Sequence, residues 1–249
     1  MSKIASYGCL AVPGVNQVSK MRPDDTGYYK CIVGAFNCEN SSGVPYPLTD
    51  SVRSLFAEGG IVRRRLDKGV CRGEYAHPNI SNMQPPDIIR RLARIDENQV
   101  SHHIRNIELV PGKNEYNKDI VLSVASLKPC GPKGPFLKES LDNPHENVAF
   151  SIRSFTRPML IGGKLARVVT DAITYDYVNE GGIIPANQFN TAISLEELVE
   201  DIFFTEEDFN MAVLQSHDRG LEAEESTISM IRTALGWQPV QVVNVLNWL

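Results

Sequence analysis

The stretch Val148-Ala149-Phe150-Ser151-Ile152-Arg153 has the pattern of a strand with two unlike faces. Side chains on a strand alternate between faces, so Val148, Phe150 and Ile152 share one side while Ala149, Ser151 and Arg153 share the other. The apolar side demands a core. The second side carries a small residue, a hydroxyl and a guanidinium, and it is expected to line a cleft. Ser154 falls with the apolar set. Any sheet built on this strand keeps one face for packing and a second face on which Ser151 stands.

Other stretches extend the sheet. Tyr28–Phe36, Ile61–Arg65, Val100–Val110, Asp119–Ser126, Asn147–Phe155 and Leu165–Val178 are predicted strands on β-branched content and alternation. Thr49–Glu58 is a predicted helix ended by Gly59. Pro86–Glu97 is another, with Ile88, Leu92 and Ile95 on one face and Arg90, Arg91 and Arg94 as a solvated face. Asn37–Pro47 and Lys128–Gly134 are predicted loops, and Phe136–Leu141 a helical turn. Beyond Pro185 the pattern becomes helical. Ser194 with Glu197 forms a capping box, Thr205 and Ser226 are further cap candidates, and Pro239 opens a last apolar helix over Val240–Leu249. The expected division is a β-rich domain over 1–193 and an acidic helical tail over 194–249.

Charge follows the same division. The tail holds eleven Asp/Glu against Arg219 and Arg232, a net −9, while the rest of the chain carries +4. A solvated acidic helical face accounts for that excess. Basic residues are dispersed, apart from Arg63-Arg64-Arg65, and lack aromatic interleaving, which argues against a nucleic-acid role. Five scattered cysteines, with no CxxC pair and no metal-ligand spacing, fit free thiols in a reducing compartment. Neither a signal peptide nor a membrane-spanning run is read, and no cofactor or metal is expected. At 249 residues the chain is long enough for a core without disulfides.

A serine hydroxyl is a poor nucleophile until a base takes its proton. Of five histidines, His77 stands out. It sits in Gly73-Glu74-Tyr75-Ala76-His77-Pro78, a tight turn closed by proline between strand-like stretches, where the ring can be presented in a fixed direction. Tyr175-Asp176-Tyr177-Val178 adds a carboxylate in a strand of its own. A serine, a histidine and a carboxylate, each in an ordered element, are the parts of an activated nucleophile. His102 is an alternative third member, with a strand histidine bonded to structure as its plainer reading.

Collinear motifs strengthen this. Asn40-Ser41-Ser42-Gly43-Val44-Pro45-Tyr46-Pro47 resembles the Asn-x-x-Gly-x-x-Tyr-Pro element of phage prohead (procapsid maturation) proteases. Gly73 to Pro78 is similar to their Gly-Glu-Leu-x-His-Pro, with Tyr75 in place of Leu. Val100-Ser101-His102-His103-Ile104 resembles their Val-Ser-His-x-Ile, and Phe150-Ser151-Ile152-Arg153 their Val-Ser-Ser-Arg strand. Asp176-Tyr177-Val178 with Pro185 is similar to Asp-x-Val-x-x-Pro. Two departures are visible: Ser154 stands where a Gly usually follows the Arg, and Glu180-Gly181-Gly182 looks inserted.

The resemblance implies an α+β fold like that of herpesvirus maturation proteases, a β-barrel surrounded by helices. It implies a serine endopeptidase acting in the host cytoplasm inside the immature phage head. Its substrates would be scaffold, core and capsid proteins, cut after acidic residues, with self-cleavage of the tail and self-association as further expectations. On this mapping Ser151 is the nucleophile, His77 the base and Asp176 the group that orients it. Arg153, Gly181 and Gly182 are candidates for the oxyanion site or cleft. Ser194-Leu195-Glu196 and Ala223-Glu224-Glu225 are the expected tail cuts. The competing expectation is a catalytically silent core or scaffold component of the same fold. An unrelated hydrolase is disfavoured because no Gly-x-Ser-x-Gly elbow occurs.

Overall fold

A computed structural model describes residues 4–12, 22–40, 43–114, 116–143, 145–146, 148–178, 202–238 and 240. The strands are β1 (Ile4–Val12), β2 (Tyr29–Phe36), β3 (Cys38–Glu39), β4 (Pro45–Tyr46), β5 (Arg72–Glu74), β6 (Val100–Lys113), β7 (Asp119–Pro129), β8 (Ala149–Ile161), β9 (Lys164–Val178) and β10 (Phe203–Thr205). The helices are α1 (Asp50–Phe56), α2 (Ile61–Asp67), α3 (Pro85–Ala93), α4 (Gly134–Asp142), α5 (Glu206–Asp218) and α6 (Glu222–Ala234). One antiparallel sheet runs β10-β1-β8-β9 and another β2-β7-β6-β5. A parallel bridge, Tyr75 to Tyr177, joins the chain just after β5 to β9 and curls the two sheets into a half-barrel.

The inner faces meet in one core. Phe150, Ile152, Tyr175 and Tyr177 of β8 and β9 pack with Val33, Ile104 and Leu127 of the other sheet. The predicted alternation of β8 therefore holds on its apolar side. Its other face is not an open cleft, because Ala149 is 3% exposed and Ser151 and Arg153 are both at 0%. A guanidinium leaves water only with partners to receive it, and Arg153 has them.

A second core lies outside that face. Phe155 and Ile173 of β8 and β9, with Ile89 and Leu92 of α3, pack against Phe209 and Val213 of α5 and Ile228 and Ile231 of α6. Phe209 meets the Phe155 ring at 5.4 Å and the Trp237 ring at 5.1 Å, both edge-on, a geometry that adds to simple burial. β10 pairs with β1, Ala5 opposite Phe204. The helices expected as a tail thus complete the fold over 202–238. Most of their acidic residues are exposed or half-buried while an apolar stripe packs inward; Glu224 is the buried exception, held by Arg90.

Several local expectations need correction. Ile61–Arg65 is helical, because Val62 and Leu66, four residues apart, are both buried and Gly60 precedes the first turn. The strand before the His77 turn is β5 instead. Arg90 and Arg91 are not a solvated face: Arg90 donates to Glu224 at 2.5 Å and Arg91 to Glu74 at 2.6 Å. Arg94 is exposed as expected, and its backbone carbonyl accepts from Arg153 at 3.0 Å. Thr205 does cap α5, in a capping box with Asp208. Ser226 lies within α6, whose cap position is Leu221. The capping box at Ser194 and the helix over Val240–Leu249 fall outside the described residues, apart from Val240 itself.

Candidate active site

Three successive backbone N–H groups fix the chain leading into His77. Glu74 N–H donates to Asp176 Oδ1 at 2.9 Å, Tyr75 N–H to the Gln99 carbonyl at 2.8 Å, and Ala76 N–H to the Tyr177 carbonyl at 2.7 Å. Ala76 then turns the chain with φ 62°. His77 follows, half-buried, with Pro78 buried behind it. β5 can lie this close to β9 only because residue 73 is glycine. A Cβ there would stand 2.2 Å from the Tyr175 carbonyl oxygen and 2.4 Å from His102 Nε2.

Ser151 lies between β1 and β9, its Cα opposite Ala11 on one side and Asp176 on the other. Residues directly opposite on antiparallel strands share a face, so Ser151, Asp176 and Arg153 stand together. Ser151 is fully buried and its Oγ has no hydrogen-bond partner among the described residues. Ser154 and Thr156 on the same strand both have interactions. Leaving a buried hydroxyl unpaired costs about 1–3 kcal/mol, and a native structure keeps such groups rarely.

Asp176 is engaged by Arg153. Arg153 Nε donates to Oδ2 and Nη2 to Oδ1, each at 2.8 Å, a bidentate pair fully removed from solvent. With the Glu74 N–H, these bonds take three of roughly four acceptor sites on the carboxylate. Arg153 also donates through Nη1 to Glu74 Oε1 at 3.1 Å and to the Arg94 carbonyl. It is a buried clamp rather than a cleft-lining side chain. Glu74 completes the cluster. Its Oε2 accepts from Arg91 Nη2 at 2.6 Å and its Oε1 from the Asp96 N–H at 2.7 Å. Burial would raise the Glu74 carboxyl, but Arg91, Arg153 and the Asp96 N–H outweigh it and hold it below the usual range.

His102 lies on β6, paired with Gly73 of β5. Its Nδ1 is 2.9 Å from Ser101 Oγ, and its ring stands edge-on to Phe150 at 5.4 Å. Burial pushes the imidazole down to about 3, so the ring is neutral. Gly181 and Gly182 lie outside the described residues. Glu74 is the residue that motif reading passed over. Its signal was its place in Gly-Glu-x-x-His-Pro, three residues before the histidine.

Among the described residues no cluster of His, Cys, Asp and Glu is arranged to hold a metal ion, and no helix is long and apolar enough to cross a membrane. The comparisons with known proteins define a class of peptidase. The Peptidase S80 family model matches residues 7–235, and the chain belongs to that family. It is 32% identical over 242 residues to the capsid maturation protease of Pseudomonas phage phiKZ, covering 92% of this chain and 87% of that protein. The solved structure of the bacteriophage T4 capsid assembly protease, gp21, aligns with a TM-score of 0.43 and 14% identity, over 70% of this chain and 97% of that one.

Proposed function

We propose that the protein is a serine endopeptidase of phage head maturation, with Ser151 as nucleophile, His77 as general base and Asp176 as the carboxylate of the site. The observation that carries the reading is the unpaired, buried hydroxyl of Ser151 directly across β9 from the chain that delivers His77. In the proposed reaction Ser151 Oγ bonds to the scissile carbonyl carbon while His77 takes its proton. His77 returns that proton to the leaving amine as the C–N bond breaks, and water then releases the acyl group by the same route. Asp176 holds the Glu74 N–H, and so the turn. One acceptor site on its carboxylate remains for an imidazole N–H.

The substrates in this reading are scaffold, core and capsid proteins inside the immature head, cut after acidic residues. The fold is proposed to be a herpesvirus-protease-like barrel. Self-cleavage belongs near Ser194-Leu195-Glu196. Ala223-Glu224-Glu225 is disfavoured because it lies in the first turn of α6, where Glu224 is buried against Arg90 and Ser216.

A second reading, a silent core component, draws on the complete burial of Ser151. Fluorophosphonate labelling mapped by mass spectrometry separates the two. Labelling at Ser151, abolished by His77→Ala, is expected; a folded wild-type protein that takes no label at Ser151 establishes the silent reading.

A further inference from the structure

Resting on those roles for Ser151 and His77, we propose that Glu74 is a positioning residue that locks the histidine turn to the nucleophile strand. Its connections run in both directions. The backbone N–H of Glu74 holds Asp176, which stands opposite Ser151, and its carboxylate holds Arg153, two residues along the same strand face. Through Arg91 and the Asp96 N–H it also ties the turn to α3 and the segment after it. Glu74 and Asp176 are fully buried, as is Arg153, while Arg91 keeps 14% of its side-chain surface. Two carboxylates and two guanidiniums therefore balance in charge. They form one hydrogen-bonded unit whose members come from β5, α3, β8 and β9. None of its members needs to touch a substrate. It acts on the distance between two groups that do.

A charge-balancing role and a positioning role predict different outcomes. If Glu74 serves only to neutralise Arg91, the double variant Glu74→Gln/Arg91→Met should restore whatever Glu74→Gln loses, since the Arg153–Asp176 pair stays intact. If Glu74 sets the reach of His77 to Ser151, the double variant should fold yet stay impaired, because misplacement by about 1 Å costs on the order of 10²-fold in rate.

The test measures peptide turnover, the rate of fluorophosphonate labelling at Ser151 and the melting temperature for wild type, Glu74→Gln and the double variant. The expected result is a double variant melting near wild type, with kcat and labelling rate both down about 10²-fold and KM little changed. Wild-type labelling in a folded double variant overturns the inference. So does a double variant that cannot fold, which would make Glu74 a folding residue. Absence of labelling in the wild type itself counts instead against Ser151 as nucleophile.

Discussion

The outer face of β8 and β9 changes character within a few residues. Around Ser151 it is polar: Arg153, Asp176 and Glu74 are all at 0% exposure and bonded to one another, and the serine hydroxyl has no partner among the described residues. Around Phe155 and Ile173 the same sheet is apolar and is covered by α5 and α6. The two regions are equally buried, so burial does not distinguish them; the difference lies in what can be exchanged. The apolar region tolerates a lost contact at a graded cost in cavity energy, whereas the polar one loses a counter-charge outright. The first is suited to stability and the second to holding a geometry.

The largest expected effect is at the leftover hydroxyl. Ser151→Ala should lower peptide turnover by on the order of 10⁶ without lowering stability, since it removes a hydroxyl with no partner among the described residues. Turnover assays beside urea denaturation check both halves. A variant that keeps its turnover, or one that unfolds, breaks the distinction at its centre.

Next come matched disruptions of the two regions. Arg153→Met should destabilise by about 3–5 kcal/mol, because it strands the buried Asp176 carboxylate and leaves Glu74 with Arg91 alone as its counter-charge. Phe209→Ala should cost a similar 3–5 kcal/mol through the cavity it leaves. Only the first should also depress kcat in the molecules that remain folded. Equal losses of kcat in both would mean that the C-terminal helices reach the site and that the two regions act as one.

A third effect arises on the inner side of the site. His102 ionises at about 3 when folded and near 6.5 as a free side chain, so it is neutral in the native state and charges on unfolding. Below about pH 6.5 the unfolded state binds the extra proton, and stability should fall as pH drops, approaching about 1.4 kcal/mol per unit. That contribution is fully present above pH 6.5. Glu74 adds to the same limb at lower pH, since its lowered pKa gives stability that is lost as pH falls through the folded value. Asp171, raised by burial that outweighs Arg65 and the Ala172 N–H, has the opposite slope, with stability falling as pH rises through its folded value. Denaturation midpoints of wild type and His102→Phe across pH 4–8 measure the first effect as the difference in slope.

What the sequence made legible follows from the range of the interactions. The apolar face of β8, the turn at His77 and the cap at Thr205 are local patterns spanning a few residues, and they are present as expected; the second face of β8, expected to line a cleft, is buried instead. β1 was not legible, because its mixed small and apolar residues form a strand through pairing with β8 and β10, far along the chain. Ile61–Arg65 looked like a strand because β-branched residues lead it, and packing of Val62 and Leu66 overrode that preference. The clamp was hidden for the same reason as β1. Glu74 meets Arg153 across 79 residues and Asp176 across 102, and no local spacing announces either. The acidic count of the C-terminal part marks a solvated helical face, and the apolar stripe beneath it packs as a second core. Charge marks which side meets water but says little about what lies beneath.

The smallest effect tests whether the apolar region is one cooperative body with the rest. Thr205 Oγ1 accepts from the Asp208 N–H at 3.2 Å, and Asp208 Oδ2 accepts from the Thr205 N–H at 2.7 Å, closing the box at the start of α5. Thr205→Ala should cost about 1 kcal/mol. β10 ends at the same residue and pairs with β1, so a frayed α5 start would loosen the edge of the sheet that holds Ser151. If the two cores unfold together, the midpoint seen by tryptophan emission in a Trp248→Phe background, which leaves Trp237 of the second core as the reporter, shifts by the same amount as the midpoint seen by trapping Cys31 and Cys71 in the first. If they unfold separately, the tryptophan midpoint moves while the cysteine midpoint stays. The packing of Phe155 and Ile173, which belong to the second core yet sit on strands that wall the first, favours the single transition.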